Sequence, residues 1–101
     1  MYGVITPVPA PVELYDGVHA ELRRRTDGKV EGLLVHIGRA TSDGFEVLEV
    51  WESREQFERY AQELIDPILA EVTSGQAPPT AQSAVEFEVR GLVLPSAGIY
   101  R

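Results

Sequence analysis

The chain has 101 residues, of which 44% are hydrophobic and 25% charged, and it contains no cysteine. This length predicts a single domain spanning residues 1–101, the composition excludes disorder and collagen, and the missing thiols exclude disulfides and thiolate metal sites. A net charge of −7 repels phosphate backbones and anionic lipid headgroups, so we expect no nucleic acid and no membrane as partners. Without a long apolar run or a signal at its start, we expect a cytoplasmic protein.

Hydrophobic periodicity and turn residues predict six elements in the order β-α-β-β-α-β. Along the chain they are a strand at 1–6, a helix from Val12 to Asp27, strands at 33–39 and 45–51, a helix from Ser53 with a kink or restart at Pro67, and a strand at 85–94. Turn residues at 41–44 join the two central strands, which predicts an antiparallel hairpin. Ser53 and Gln56 have the spacing of a capping box, which predicts a helix start.

This order is typical of an α+β, ferredoxin-like domain, with a four-stranded antiparallel sheet and two helices on one face. Pro7 is expected to end the first strand, and Pro95 the last one, before a tail at 96–101. A loop marked by Pro78 and Pro79 is expected before the last strand.

The register of the predicted hairpin decides which side chains meet. If the loop holds an even number of residues, three pairs share one sheet face: His36 with Glu49, Leu34 with Trp51, and Gly38 with Val47. The opposite face then carries Val35, Ile37, Leu48 and Val50, and we expect it to pack under the helices. The first face, which also carries Phe45, then needs another cover, so we predict a homodimer in which two such faces meet.

Two segments, Gly32–Gly38 (GLLVHIG) and Glu49–Phe57 (EVWESREQF), resemble the dimeric α+β barrel superfamily and its antibiotic-biosynthesis-monooxygenase-like proteins. The resemblance implies protomers paired through their sheets and a pocket for a flat aromatic substrate. It indicates a fold more than a reaction, because the superfamily mixes cofactor-free oxygenases, haem-degrading enzymes and isomerases. The haem-degrading members use a His on the second helix, and Ser53–Val72 contains none, so we expect no haem or other cofactor.

His36 and Glu49 are the candidate catalytic residues. A His in the middle of an apolar strand carries a desolvation cost unless it is used or satisfied, and a carboxylate on one ring nitrogen raises the basicity of the other. The expected substrate-binding residues are Trp51, Leu34, Phe45 and Val47. The alternative for these residues is a structural polar pair and ordinary core or interface packing.

The remaining polar residues are interpreted as structural. Tyr15 and Tyr60 fit the apolar stripes of their helices, and His19 stands at the edge of the first stripe. Neither His has a carboxylate at metal-ligand spacing, so we predict no metal site. Arg23–Arg25 is interpreted as the solvated end of the first helix.

The resemblance and the ionisable pair together imply a small cofactor-independent, monooxygenase-like enzyme acting on an aromatic or polyketide-like molecule. His36, oriented by Glu49, would deprotonate a phenol or enol, and the carbanion would react with O₂ in a dry pocket. One alternative is a non-catalytic ligand-binding or dimerisation module in which a ligand cannot reach His36 and Glu49. Another is an isomerase or lyase that needs no O₂.

Overall fold

The computed structural model describes residues 1–75 and 84–101, and its elements follow the predicted order. They are β1 (Tyr2–Val8), α1 (Val12–Thr26), β2 (Leu33–Thr41), β3 (Gly44–Trp51), α2 (Arg54–Tyr60), a π-helical turn (Ala61–Ile65), α3 (Asp66–Val72), β4 (Val85–Glu88), β5 (Val93–Leu94), a 3₁₀ turn (Pro95–Ala97) and β6 (Ile99–Tyr100). The loop predicted at Pro78 and Pro79 lies outside the described residues.

The main sheet has four antiparallel strands in the order β2-β3-β1-β4. Both helical segments pack on one face of this sheet, because Leu22 of α1, Tyr60 of α2 and Ile68 of α3 share one buried cluster with Val4 and Trp51. The predicted ferredoxin-like α+β fold is therefore confirmed. No helix in the described ranges has both the length and the apolar character needed to cross a membrane.

The hairpin between β2 and β3 has the even loop on which the predicted register depends. Thr41 pairs with Gly44, so the loop consists of Ser42 and Asp43. His36 then pairs with Glu49 and Gly38 with Val47, as expected.

The pair predicted between Leu34 and Trp51 is wrong, because a bulge between Leu33 and Val35 places Leu33 opposite Trp51 instead. The extra residue in a bulge has no partner of its own, so the simple alternation of faces is broken at this point.

The two faces of the sheet are the reverse of those predicted. The inner face, which turns toward the helices, carries Val4, Thr6, Val8, His36, Gly38, Phe45, Val47, Glu49 and Trp51. Trp51 is completely buried and its ring contacts Phe57 and Tyr60 of α2. The helices cover this face because it holds the bulkiest aromatic side chains of the hairpin, whose burial contributes the most free energy.

The outer face, which turns away from the helices, is apolar as well. It carries Ile5, Val35, Ile37, Leu48, Val50, Val85 and Phe87. Ile37 is 53% exposed and Val85 56% exposed, whereas the ring of Phe87 lies over the backbone of Gly3. The side chains predicted to pack under the helices are thus on the face that the helices leave open.

A kink or restart was expected at Pro67, and the structure has a π-helical turn at Ala61–Ile65 there, without a break in the helical dihedrals. Ile65 and Asp66 both have right-handed helical dihedrals, and the Asp66 amide donates to the carbonyl of Ala61, five residues earlier. Proline has no amide hydrogen to donate, and one widened π turn before it keeps the helix going. The predicted start is confirmed, since the Ser53 hydroxyl accepts from the Gln56 amide.

Both terminal strands differ from their predicted bounds. β1 continues through Pro7 to Val8, where the described pairing leaves it only β3 as a neighbour, so the missing amide hydrogen is tolerated. The last strand ends at Glu88 instead of residue 94. Residues 93–94 turn back on 99–100 in a separate hairpin, which is closed by reciprocal backbone hydrogen bonds between Leu92 and Arg101.

Candidate functional site

A cavity of about 340 Å³ lies between the helices and the inner face of the sheet. Most of its lining is apolar: Val8, Leu14, Val18, Leu22, Phe45, Val47, Phe57, Ala61, Ile65 and Leu69. Polar side chains also reach it, namely Thr6, Tyr15, His19, His36, Glu49, Tyr60 and Asp66. A cavity of this size and character suits a small, largely apolar molecule that is oriented by a few polar contacts.

Three side chains from three elements form a continuous hydrogen-bonded chain on the cavity wall. Glu49 Oε2 of β3 lies 2.7 Å from His36 Nδ1 of β2, and His36 Nε2 lies 2.9 Å from the Tyr15 hydroxyl of α1. Glu49 is only 4% exposed. The cross-strand register places the first two groups together, and α1 brings the third one from above the sheet.

The donor and acceptor roles in this chain follow from the buried carboxylate. A carboxylate only accepts hydrogen bonds, so the His36 tautomer that fits this contact carries a hydrogen on Nδ1. In this tautomer Nε2 is an acceptor and takes the hydrogen bond of the Tyr15 hydroxyl. The arrangement is that of a base oriented by a carboxylate, with a phenol already hydrogen-bonded to the basic nitrogen.

Trp51 lies behind the hydrogen-bonded chain of Tyr15, His36 and Glu49. It does not line the cavity, although it was predicted to form a pocket wall. Its Nε1 donates to Glu49 Oε1 at 3.4 Å, so both carboxylate oxygens have a donor. Leu34, at the bulge, is not among the lining residues either, whereas Phe45 and Val47 are. Trp51 therefore acts on the site through Glu49, and the cavity wall is built by residues closer to the loop end of β3.

Tyr15 and His19 were missed as site residues. His19 Nδ1 lies 3.5 Å from the Tyr15 hydroxyl, and the rings of Tyr15, His19 and His36 are stacked with centroids 5.5 to 5.9 Å apart. Tyr15 and His19 are four residues apart, a spacing that puts both side chains on one helix face. That spacing could have indicated that Tyr15 and His19 lie together at the site, but both residues were assigned to the apolar stripe of α1 or to its edge.

The tyrosines that line the cavity stay protonated. Burial raises the pKa of Tyr15, and the charges of Glu49 and Asp16 raise it further. Burial also raises the pKa of Tyr60, with added contributions from Glu49 and Tyr15. At neutral pH both phenols are therefore hydrogen-bond donors and not phenolates.

Comparisons with known proteins bear on the fold of the chain. No protein-family model matches it, and no curated protein matches it. A solved structure of a putative antibiotic biosynthesis monooxygenase from Chloroflexus aurantiacus is similar over 91% of this chain and 95% of its own, with a TM-score of 0.63 and 20% identity.

Two further solved structures are similar as well. SnoaB, a cofactor-independent oxygenase from Streptomyces nogalater, has a TM-score of 0.55 and 18% identity, over 93% of this chain and 94% of its own. The heme-degrader MhuD from Mycobacterium tuberculosis, solved with two hemes in its active site, has a TM-score of 0.50 and 23% identity over 92% and 99%. The resemblance drawn from the sequence is thus confirmed at the level of the fold.

The residues present do not fit a haem held from the second helical segment. No His lies between Arg54 and Val72, and Tyr60 is the aromatic side chain that this segment presents to the cavity beside Phe57. Both ring nitrogens of His36 are already hydrogen-bonded. Among the described residues, no group of three or more carboxylate, thiol or imidazole side chains is placed to hold a metal ion.

Proposed function

We propose that this protein is a cofactor-independent, monooxygenase-like enzyme that acts on an aromatic or polyketide-like small molecule with an acidic hydroxyl or enol. The observation that carries the proposal is the Tyr15–His36–Glu49 hydrogen-bonded chain on the wall of an apolar cavity. The described function of SnoaB, a cofactor-independent oxygenase of the same fold, supports the choice of reaction class.

His36 is the base in this mechanism. The substrate hydroxyl gives its proton to the Tyr15 oxygen while Tyr15 passes its own proton to His36 Nε2. The Glu49 carboxylate stabilises the imidazolium that forms, as an oriented charge in surroundings from which water is largely excluded. The negative charge left on the substrate spreads into the aromatic system and gives carbanion character to a carbon that is conjugated with the oxygen.

The carbanion then reacts with O₂. Two electrons from the carbanion reduce O₂ to a carbon-bound peroxide, and the proton held by His36 is transferred to the distal peroxide oxygen. This carbon, which is a CH₂ group in the keto form of the substrate, still carries one hydrogen. Loss of water breaks its C–H bond and the O–O bond and leaves a carbonyl, so that one O₂ enters and one water leaves for each turnover. The apolar lining protects the carbanion from reprotonation by solvent.

A non-catalytic ligand-binding module is the second candidate function. Both ring nitrogens of His36 are hydrogen-bonded to the protein, and most of the cavity lining is apolar, as expected of a simple receptacle. In that case the polar chain holds β2, β3 and α1 together. Ligand binding would then persist without any chemical change in the ligand.

Oxygen consumption with an anthrone as substrate tests the proposal. We expect the variants His36→Ala and Glu49→Gln to lower kcat/KM by about 100-fold or more, because the base or its orienting carboxylate is lost. The matched control is Glu46→Gln, the same change on the outer face of the same strand, where Glu46 pairs with Arg39. This control should keep its activity within about twofold.

Three outcomes would contradict the proposal. Unchanged turnover in both site variants would exclude the base, turnover that survives under nitrogen would indicate an isomerase or lyase, and binding without turnover would leave the ligand-binding module. Mass spectrometry of the product, with ¹⁸O₂ as the oxygen source, identifies the new carbonyl.

We also propose that a second copy of the chain covers the outer face in a homodimer. Exposed apolar side chains of β2 and β4 support this, since Ile37 and Val85 are more than half exposed on a face that the helices do not reach. The dimer expected from the sequence would thus form through the opposite face of the sheet. The inner face, first expected to be the interface, is filled by the core and the cavity.

A further inference from the structure

Tyr60 stands at the end of α2, immediately before the π-helical turn, and its ring is fixed in the core. It is 7% exposed, and its ring centroid lies 4.8 Å from that of Trp51. Packing against Trp51 determines the ring position, so the hydroxyl group is not needed to hold it there.

Tyr60 lines the cavity, and its hydroxyl is not sealed inside the core. It has no hydrogen-bond partner among the residues that the structure describes, yet no fully buried side-chain oxygen or nitrogen among those residues lacks a partner. The hydroxyl therefore keeps some accessible surface, and Tyr60 is one of the residues that line the cavity. A hydroxyl in a mostly apolar cavity carries a desolvation cost until an acceptor arrives.

Glu49, whose charge acts on the Tyr60 hydroxyl, makes no hydrogen bond with it. The hydrogen bonds of its two oxygens run to His36 and to Trp51. Burial and the charge of Glu49 also keep the Tyr60 hydroxyl in its protonated form. Tyr60 is thus a cavity-lining residue with a fixed ring and a protonated hydroxyl, for which residues 1–75 and 84–101 supply no acceptor.

We infer that Tyr60 donates a hydrogen bond to a carbonyl oxygen of the bound molecule, so that the cavity selects aromatic ketones over hydrocarbons of the same shape. This inference deepens the proposed function by naming the second group that the substrate must carry. A substrate with an acidic hydroxyl near Tyr15 and a carbonyl near Tyr60 would be held at two points, and the carbonyl would also accept charge after deprotonation.

Binding of two matched bicyclic ligands under nitrogen tests the inference without any turnover. The ligands are 1-tetralone and tetralin, which share a ring system and differ in one carbonyl oxygen. We expect Tyr60→Phe to weaken 1-tetralone about tenfold, since one hydrogen bond in a buried site is lost, and to change tetralin less than about twofold. Ligand-observed NMR titration measures both affinities.

Two tyrosine variants serve as controls. Tyr2→Phe removes a hydroxyl that donates to Glu86 and does not line the cavity, so both affinities should stay unchanged. Tyr15→Phe removes a hydroxyl that is already committed to His36, so the preference for the ketone should persist. In the wild-type protein, the carbonyl stretch of bound 1-tetralone should shift to lower frequency in the infrared, and Tyr60→Phe should remove that shift.

The inference is overturned if Tyr60→Phe changes both affinities by the same factor. It is overturned as well if the wild-type protein binds neither ligand. It is also overturned if Tyr15→Phe, and not Tyr60→Phe, removes the preference. These results are independent of the oxygen-consumption assay, because neither ligand needs the base and no O₂ is present. The proposed oxygenase activity can therefore fail while the ketone preference holds, and the reverse.

Discussion

Gly38 leaves the space in which the ring of Tyr15 lies against β2. A Cβ atom added at this position would overlap the Tyr15 ring and hydroxyl. We expect Gly38→Ala to push Tyr15 away from His36 and to lower kcat/KM by about 10- to 100-fold, because the Tyr15 hydroxyl would lose its hydrogen bond with His36 Nε2. Steady-state kinetics on the folded variant measures this effect.

Gly17→Ala is the matched control for this glycine substitution. Gly17 lies inside α1, and an added Cβ would meet only the Val72 side chain at 3.4 Å. We expect this variant to stay active and to gain about 0.5 to 1 kcal/mol in the free energy of unfolding, as a helix-interior glycine usually does on change to alanine. Equal activity in the Gly38 and Gly17 variants would show that the Tyr15 position does not matter.

The His36–Glu49 pair could be predicted from the sequence, whereas its partner Tyr15 could not. Strand residues alternate with a period of two, so an even loop is sufficient to place the pair. A helix stripe only predicts which side of the helix is covered. Whether the hydroxyl of Tyr15 reaches a strand side chain depends on how α1 crosses the sheet, and that is set by packing of the whole core.

At the scale of a single helix, the ion pairs at the basic end of α1 make the free energy of unfolding depend on pH, and the pKa of Glu21 gives the sign of that dependence. Hydrogen bonds from Arg24 and Arg25 lower the pKa of Glu21 from its usual 4.5 to about 2. The folded state binds this proton more weakly than the unfolded state, so the contribution to stability is present above about pH 4.5 and lost as the pH falls toward 2.

We therefore expect Glu21→Gln to be less stable than the wild type at pH 6 and to approach it near pH 2. Because the group is exposed, the difference should be small and should shrink at high salt. Urea denaturation at several pH values measures it, with Glu31→Gln at an exposed loop position as the control. A constant difference from pH 6 to pH 2 would be evidence against the proposed ion pairing.

At the scale of elements, the order and most boundaries could be predicted, but the shape of the second helical segment and of the C terminus could not. Pro67 marks the position of a disturbance without saying whether the helix bends or widens. Here the helix widens into a π turn, and Tyr60 and Ile68 on its two sides are both buried. The apolar run at 92–94 reads equally well as the end of a strand or the start of a hairpin.

At the scale of the molecule, the face of the sheet that the helices cover could not be predicted, because both faces of the hairpin are apolar. Period-two alternation sorts residues into two sets and says nothing about which set the helices meet. The bulk of Trp51 and Phe45 decides this in the folded protein, since both are buried on the inner face.

The proposed homodimer makes a prediction at this scale. Ile37→Lys puts a charge in the middle of the outer face and should raise the dimer dissociation constant by at least about 100-fold, because an unpaired charge would be buried on association. Val72→Lys, on the helical side at a position that is also exposed, is the control and should remain dimeric. Sedimentation velocity distinguishes the cases, and a monomeric wild type would refute the proposal.

The main sheet is a single layer of strands, and alternate residues of the same strands form its two apolar faces. On β3 the odd positions 45, 47, 49 and 51 face the cavity and core, and the even positions 46, 48 and 50 face away from them. Substitutions can therefore change the odd positions while the even positions stay the same, and the reverse. A substitution that alters the cavity therefore need not alter the outer face, and the reverse, although the two kinds of position alternate along a single strand.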